Sequence, residues 1–98
     1  MNHETTLEIV KEFFIDKPLI EKVYLFGSFV RKEESEGSDI DLLVEMQETI
    51  NLLRFIQIKQ ELEDKIQRKV DLLTKESISS YILPLITQNM ELIYERKR

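Results

Sequence analysis

Gly27-Ser28, a ten-residue interval, and then Asp39-Ile40-Asp41 are the residues whose types and spacing suit phosphate chemistry. Val23 to Phe26 is an apolar, β-prone run that stops at Gly27, as a strand does where it turns into a helix. Glycine lets backbone approach a phosphate closely, and Ser28 falls where the free N–H groups of a helix start can face an anion. Asp39 and Asp41 stand two apart at the head of a second strand-like run. Side chains alternate along a strand, so both carboxylates project from one face while Ile40, Leu42 and Val44 project from the other. Two carboxylates held side by side repel each other unless a cation lies between them. Oxygen-only ligands beside a phosphate site point to Mg²⁺. The competing interpretation is an aspartate pair at a strand edge beside a solvated turn.

The elements that must hold these residues can be traced along the chain. Thr5-x-x-Glu8 has the pattern of a capping box, and Leu7, Val10 and Phe14 follow at helical spacing. A first helix is expected from about Thr6 to Ile15, ended by Asp16-Lys17-Pro18. The first strand is expected over Lys22 to Phe26, and a turn with a short helix over Gly27 to Lys32. Glu33 to Gly37 reads as an acidic loop, and the second strand covers Ile40 to Glu45. From Thr49 to Lys69 there is no Gly or Pro, which predicts a long helix with Leu52, Phe55, Ile56, Leu62 and Ile66 on one face. Ile50, Leu53 and Ile58 fall off that face and are candidates for a second contact surface. Val70 to Thr74 is a third strand with Asp71 opposite Val70 and Leu72. Ile78, Tyr81, Ile82, Leu85 and Ile86 recur at helical spacing around Pro84, which should kink or restart the helix. Asn89 is a candidate left-handed stop, and Met90 to Glu95 closes as a strand. The tyrosines 24, 81 and 94 most simply fill apolar positions. The pattern is an α/β fold, a sheet with helices packed against it, in one domain over residues 1–98.

The stretch GSFVR followed by GSDIDLLVE resembles the core of the minimal nucleotidyltransferases, the smallest members of the DNA polymerase β-like superfamily. In particular it is similar to the antitoxin half of HEPN–nucleotidyltransferase toxin–antitoxin pairs. The similarity extends through Val70-Asp71-Leu72-Leu73-Thr74, where that family has its third carboxylate, to a last strand over Met90 to Glu95. The resemblance implies a small mixed sheet and an adenylyl transfer that uses ATP as donor. It also implies that Asp39 and Asp41 ligate two Mg²⁺ ions, that Asp71 completes the metal site and helps activate the attacking hydroxyl, and that Gly27 and Ser28 hold the triphosphate. Arg31 matches the family's arginine after Gly-Ser and could reach a phosphate bidentately; as a surface arginine it has a simpler reading. The next residue is usually glycine in the family and is Lys32 here. Ser38 either donates to a phosphate or caps the turn.

Composition narrows the choice of partner. Ninety-eight residues suit one domain with a radius of gyration of about 13 Å, too little for a separate acceptor-binding domain. The net charge of −5 argues against broad nucleic-acid binding, which usually needs a basic face. Arg96-Lys97-Arg98 is the one dense basic run and reads as a frayed, solvated tail. No apolar run approaches the roughly 20 residues of a membrane span, and the N-terminus lacks the pattern of a signal peptide. Cytoplasm is the default compartment. With no cysteine and His3 as the one histidine, zinc chemistry and a Ser-His-Asp hydrolase are excluded.

A domain with a triphosphate site and no room for an acceptor pocket must borrow its acceptor. The leading expectation is therefore an antitoxin that adenylylates a tyrosine of a partner HEPN ribonuclease. The alternatives are an antitoxin that docks without catalysis, with Ile50, Leu53 and Ile58 as its candidate surface, and a nucleotidyltransferase subunit acting on a small molecule.

Overall fold

The computed structural model describes residues 3–27, 39–81 and 83–97. In chain order these form helix α1 (His3–Ile15), strands β1 (Ile20–Phe26) and β2 (Ile40–Met46), helix α2 (Leu52–Ile66), strand β3 (Val70–Thr74), a 3₁₀ turn (Lys75–Ser77), helix α3 (Leu83–Thr87) and strand β4 (Glu91–Glu95). The expected turn and short helix over Gly27 to Lys32 and the acidic loop lie outside the described residues, apart from Gly27.

One mixed sheet has the order β3-β2-β1-β4. β1 runs antiparallel to both β2 and β4, and β2 runs parallel to β3. A parallel pair needs a crossover, and α2 supplies it. The alternation read from β2 holds: Ile40, Leu42 and Val44 are fully buried, while Asp41 between them is half-buried. The core lies on that apolar face, where Val10 and Phe14 of α1 and Leu62 and Ile66 of α2 close over the sheet. Burying each such side chain contributes about 1.5–3 kcal/mol. Among the described residues no helix is long and apolar enough to cross a membrane.

Several expectations are corrected. α1 already covers Thr5 and Thr6, so Thr5 lies inside the helix and is not its N-cap; Thr6 is wholly buried on the inner side. α2 is shorter than the gap in Gly and Pro suggested. Asn51 starts it by accepting from the Arg54 N–H at 2.8 Å, and Gln67 ends it in the left-handed conformation at φ 57°. The buried face of α2 is also rotated from the one expected. It runs through Ile58, Leu62 and Ile66, whereas Leu52 is 70% exposed and Ile56 only partly covered. Ile58 sits roughly 40° from Leu62 around the helix, so an apolar stripe this broad admits both positions. Burial of Ile58 and half-burial of Ile50 dismantle the proposed second surface, of which Leu53 alone stays well exposed.

Pro84 does restart a helix, in the first turn of α3. Upstream the helical spacing fails because Thr74 caps a 3₁₀ turn instead, accepting from the Ser77 N–H while its carbonyl accepts from the Ser77 hydroxyl. Tyr81 fills no apolar position, being 89% exposed, and Asn89 makes no left-handed stop; Gln67 has the positive φ among the described non-glycine residues. The basic tail is not simply frayed. Arg96 is half-buried and donates from its guanidinium to the carbonyls of Phe14, Ile15, Lys17 and Ile20, at 3.1–3.3 Å, closing the C-terminal end of α1.

Candidate active site

β1 and β2 bring the two halves of the motif together at one end of the sheet. Phe26 is the register partner of Asp41, so Gly27 follows directly beside it. Gly27 has φ 78°, a conformation that L side chains rarely adopt. A Cβ built there would overlap Oδ2 of Asp41 and stand 3.2 Å from its Cγ. The glycine is thus required twice, for the turn and for the space the carboxylate occupies.

β3 supplies the third carboxylate. The parallel register pairs Asp41 with Asp71 and Ile40 with Val70. Both aspartates leave the sheet on the face opposite the core, and Asp39 stands just before β2 begins. Asp39 and Asp71 are exposed and Asp41 is half-buried. The Asp41 carboxyl is held above the usual carboxylate range, first by partial burial and then by the like charges of Asp71 and Asp39. Ser28, Arg31, Lys32 and Ser38, the other residues proposed from sequence, lie outside the described residues.

Among the described residues no three acidic or histidine side chains converge into a ready-made metal cage. An open acidic set suits Mg²⁺ nonetheless. That ion usually takes one or two carboxylates and completes its shell with substrate phosphates and water. Asp41 and Asp71 share one register position on neighbouring strands and Asp39 stands just ahead of β2, so these three are the residues that would hold such an ion.

Along the same sheet face, Tyr24, Leu43 and Leu73 follow the carboxylates, with Leu43 buried. Beyond them lies a charged row. Lys22 Nζ reaches Glu95 at 3.5 Å and Glu45 at 4.0 Å, and Lys75 Nζ donates to Glu45 Oε1 at 3.1 Å. A groove lined by Met46, Phe55, Leu72 and Leu73 lies near this far end rather than at the carboxylates.

One residue that spacing did not reveal is Glu63 on α2. Its carboxylate Oε2 accepts the Val70 N–H at 2.8 Å, one residue before Asp71. On sequence it passes as one more polar position of a helix; a glutamate that far from a strand start carries no motif.

The polymerase β nucleotidyltransferase family matches residues 8–98, which include Gly27, Ser28 and all three aspartates. The chain is a member of that family. It is similar to the protein adenylyltransferase MntA of Thermococcus cleftensis, 37% identical over 76% of this chain and 74% of that one. A protein assigned as an adenylyltransferase in Methanocaldococcus jannaschii is 40% identical over 81% of this chain and 80% of its own length. Among solved structures, a minimal nucleotidyltransferase aligns with a TM-score of 0.77 at 28% identity, covering 94% of both chains. The MNT antitoxin bound to a tri-AMPylated HEPN toxin of Shewanella oneidensis aligns at 0.77 and 20% identity, over 97% of this chain and 74% of that one. That last likeness is one of fold. As a nucleotidyltransferase, the chain has the α/β architecture expected of it: four strands in a mixed sheet with α1 and α2 against one face.

Proposed function

We propose that this nucleotidyltransferase is an antitoxin that transfers AMP from ATP to a tyrosine hydroxyl of a HEPN-type ribonuclease toxin and so silences it. The observation that carries the reading is the Asp41–Asp71 register pair with Gly27 pressed against it. It occurs in a chain 37% identical to a protein adenylyltransferase. The exposure of Asp39 and Asp71 supports an acceptor that arrives on another protein, because an open donor site needs no pocket of its own.

In this reading the acceptor oxygen forms a bond to the α-phosphorus of ATP. The bond from that phosphorus to the oxygen bridging the β-phosphate breaks, and pyrophosphate leaves. Asp71 takes the acceptor's proton, while Gly27, Ser28, Arg31 and Ser38 hold and orient the triphosphate. Asp39, Asp41 and Asp71 would hold Mg²⁺, which neutralises phosphate charge and lowers the acceptor's pKa when bound. The reaction belongs in the cytoplasm, where ATP is at hand.

Co-expression with a HEPN protein tests this directly. Intact-mass analysis should find AMP on the toxin, and Asp39→Asn with Asp41→Asn should abolish it. Incorporation that survives the double change would sink the metal assignment. Growth rescued by the double variant without incorporation would favour docking, for which the exposed Leu52 and Leu53 offer a surface. AMP appearing on a small molecule in the absence of any toxin would replace the acceptor class.

A further inference from the structure

We infer that Glu63 is a positioning residue for the carboxylate site, holding the start of β3 so that Asp71 stays beside Asp41; the inference rests on the metal-site reading above. Three residues, 67–69, separate α2 from β3. Glu63 grips both sides of that turn. Its backbone carbonyl accepts the N–H of Gln67, the left-handed residue that ends the helix, at 2.8 Å. Its carboxylate accepts the N–H of Val70, the first residue of β3, also at 2.8 Å.

The second bond occupies a place where the sheet has nothing to offer. β3 is an edge strand of five residues. In a parallel ladder one strand turns alternate residues toward its neighbour and the others away. The Ile40 N–H donates to the Lys69 carbonyl at 3.0 Å, so Lys69 and Asp71 face β2 with their backbones and Val70 faces outward. The Glu63 carboxylate therefore stands in for the missing fifth strand. An edge strand without that partner frays from its first residue, and its second residue is Asp71. It is the β3 backbone, paired with β2, that sets Asp71 opposite Asp41.

Glu63→Ala removes the acceptor, and Glu63→Gln keeps an acceptor oxygen without the charge. Amide exchange at Val70, read by NMR on the full chain, is expected to quicken about tenfold in E63A and to stay within about twofold of wild type in E63Q. Mn²⁺, titrated in the presence of ATP and followed by its EPR signal, is expected to need about tenfold more metal for half-saturation in E63A, with E63Q restored. Faster Val70 exchange with an unchanged Mn²⁺ midpoint overturns the inference, since an anchor of structure alone would behave so. A wild-type chain that binds no Mn²⁺ beside ATP overturns it as well, as does an E63Q variant as impaired as E63A. Should E63A fail to fold, Glu63→Asp, one methylene shorter, is expected to show both changes in smaller degree, and an unmoved Mn²⁺ midpoint there with faster exchange is equally fatal. AMP transfer measured in parallel keeps the two readings apart: a wild-type chain that binds Mn²⁺ but modifies no HEPN protein ends the proposed reaction and leaves the Glu63 test standing.

Discussion

At the Gly27 end of one sheet face Asp39, Asp41 and Asp71 gather charges of one sign, whereas at the far end Glu95, Lys22, Glu45 and Lys75 alternate across the strands. β1 and β2 run through both ends. At the far end each charge meets its opposite, and Glu45 holds the Lys75 ammonium above its ordinary pKa. At the near end like charges and partial burial push the Asp41 carboxyl up instead. A fold gains nothing in stability from such a cluster; local electrostatic cost of this kind is what functional sites characteristically carry.

The contrast can be broken most severely at the near end. Asp41→Asn should lower AMP transfer by about 10³-fold or more while the circular-dichroism spectrum stays native, because it removes a proposed metal donor. Gly27→Ala comes next. It forces an L-residue to φ 78° and drives a methyl group into the Asp41 carboxylate, so a loss of about 1–3 kcal/mol in stability and about 10²-fold in turnover is expected.

Asp71→Asn sharpens the comparison, since it should harm activity and help stability together. The folded-state pKa of Asp41 is raised, so the folded protein keeps its proton at pH values where the unfolded chain has released it. Stability of the metal-free protein therefore falls as pH rises from the ordinary carboxylate pKa through the raised one. Removing the Asp71 charge narrows that window. At pH 7 the variant should gain up to about 0.5 kcal/mol after solvent screening, or about 2–4 °C in melting temperature. Added Mg²⁺ should raise the melting temperature of the wild type more than that of the variant. The smallest effect is at the other end, where Lys75→Ala should leave AMP transfer within about twofold of wild type and melting unchanged within scatter, as exposed pairs usually do.

The site-bearing strands were legible in the sequence because each is a short apolar run with an aspartate set between two buried residues. Val70 to Thr74 is found where it was read, with Asp71 opposite Val70 and Leu72. The meeting of Asp41 with Asp71 needed one thing sequence does not encode locally, that β3 pairs with β2 in parallel and in that register. Helix limits were less legible. α2 ends at a glutamine that adopts the left-handed conformation glycine usually marks. Its buried face was misread because Leu52 and Ile56 are as apolar as Ile58, and only the position of the sheet decides between them. Tyr81 misled for the converse reason, since spacing says nothing of whether a partner lies beneath. Glu63 and Arg96 were invisible because each binds backbone, and backbone partners leave no mark in residue type.

The guanidinium of Arg96 has a consequence for the order in which the molecule can be finished. Its acceptors lie 76 to 82 positions earlier in the chain. During synthesis α1 emerges well before Arg96, so the carbonyls at its C-terminal end, two of which already accept the Lys17 and Ile20 N–H groups, gain the guanidinium only later. β1, central in the sheet, likewise waits for β4 on one side. Contacts of such long sequence separation slow folding, because the intervening chain must be closed before they stabilise anything. A nascent chain halted before residue 96 would hold the aspartates but not the clasp, and protease resistance should appear only once that arginine has cleared the ribosome.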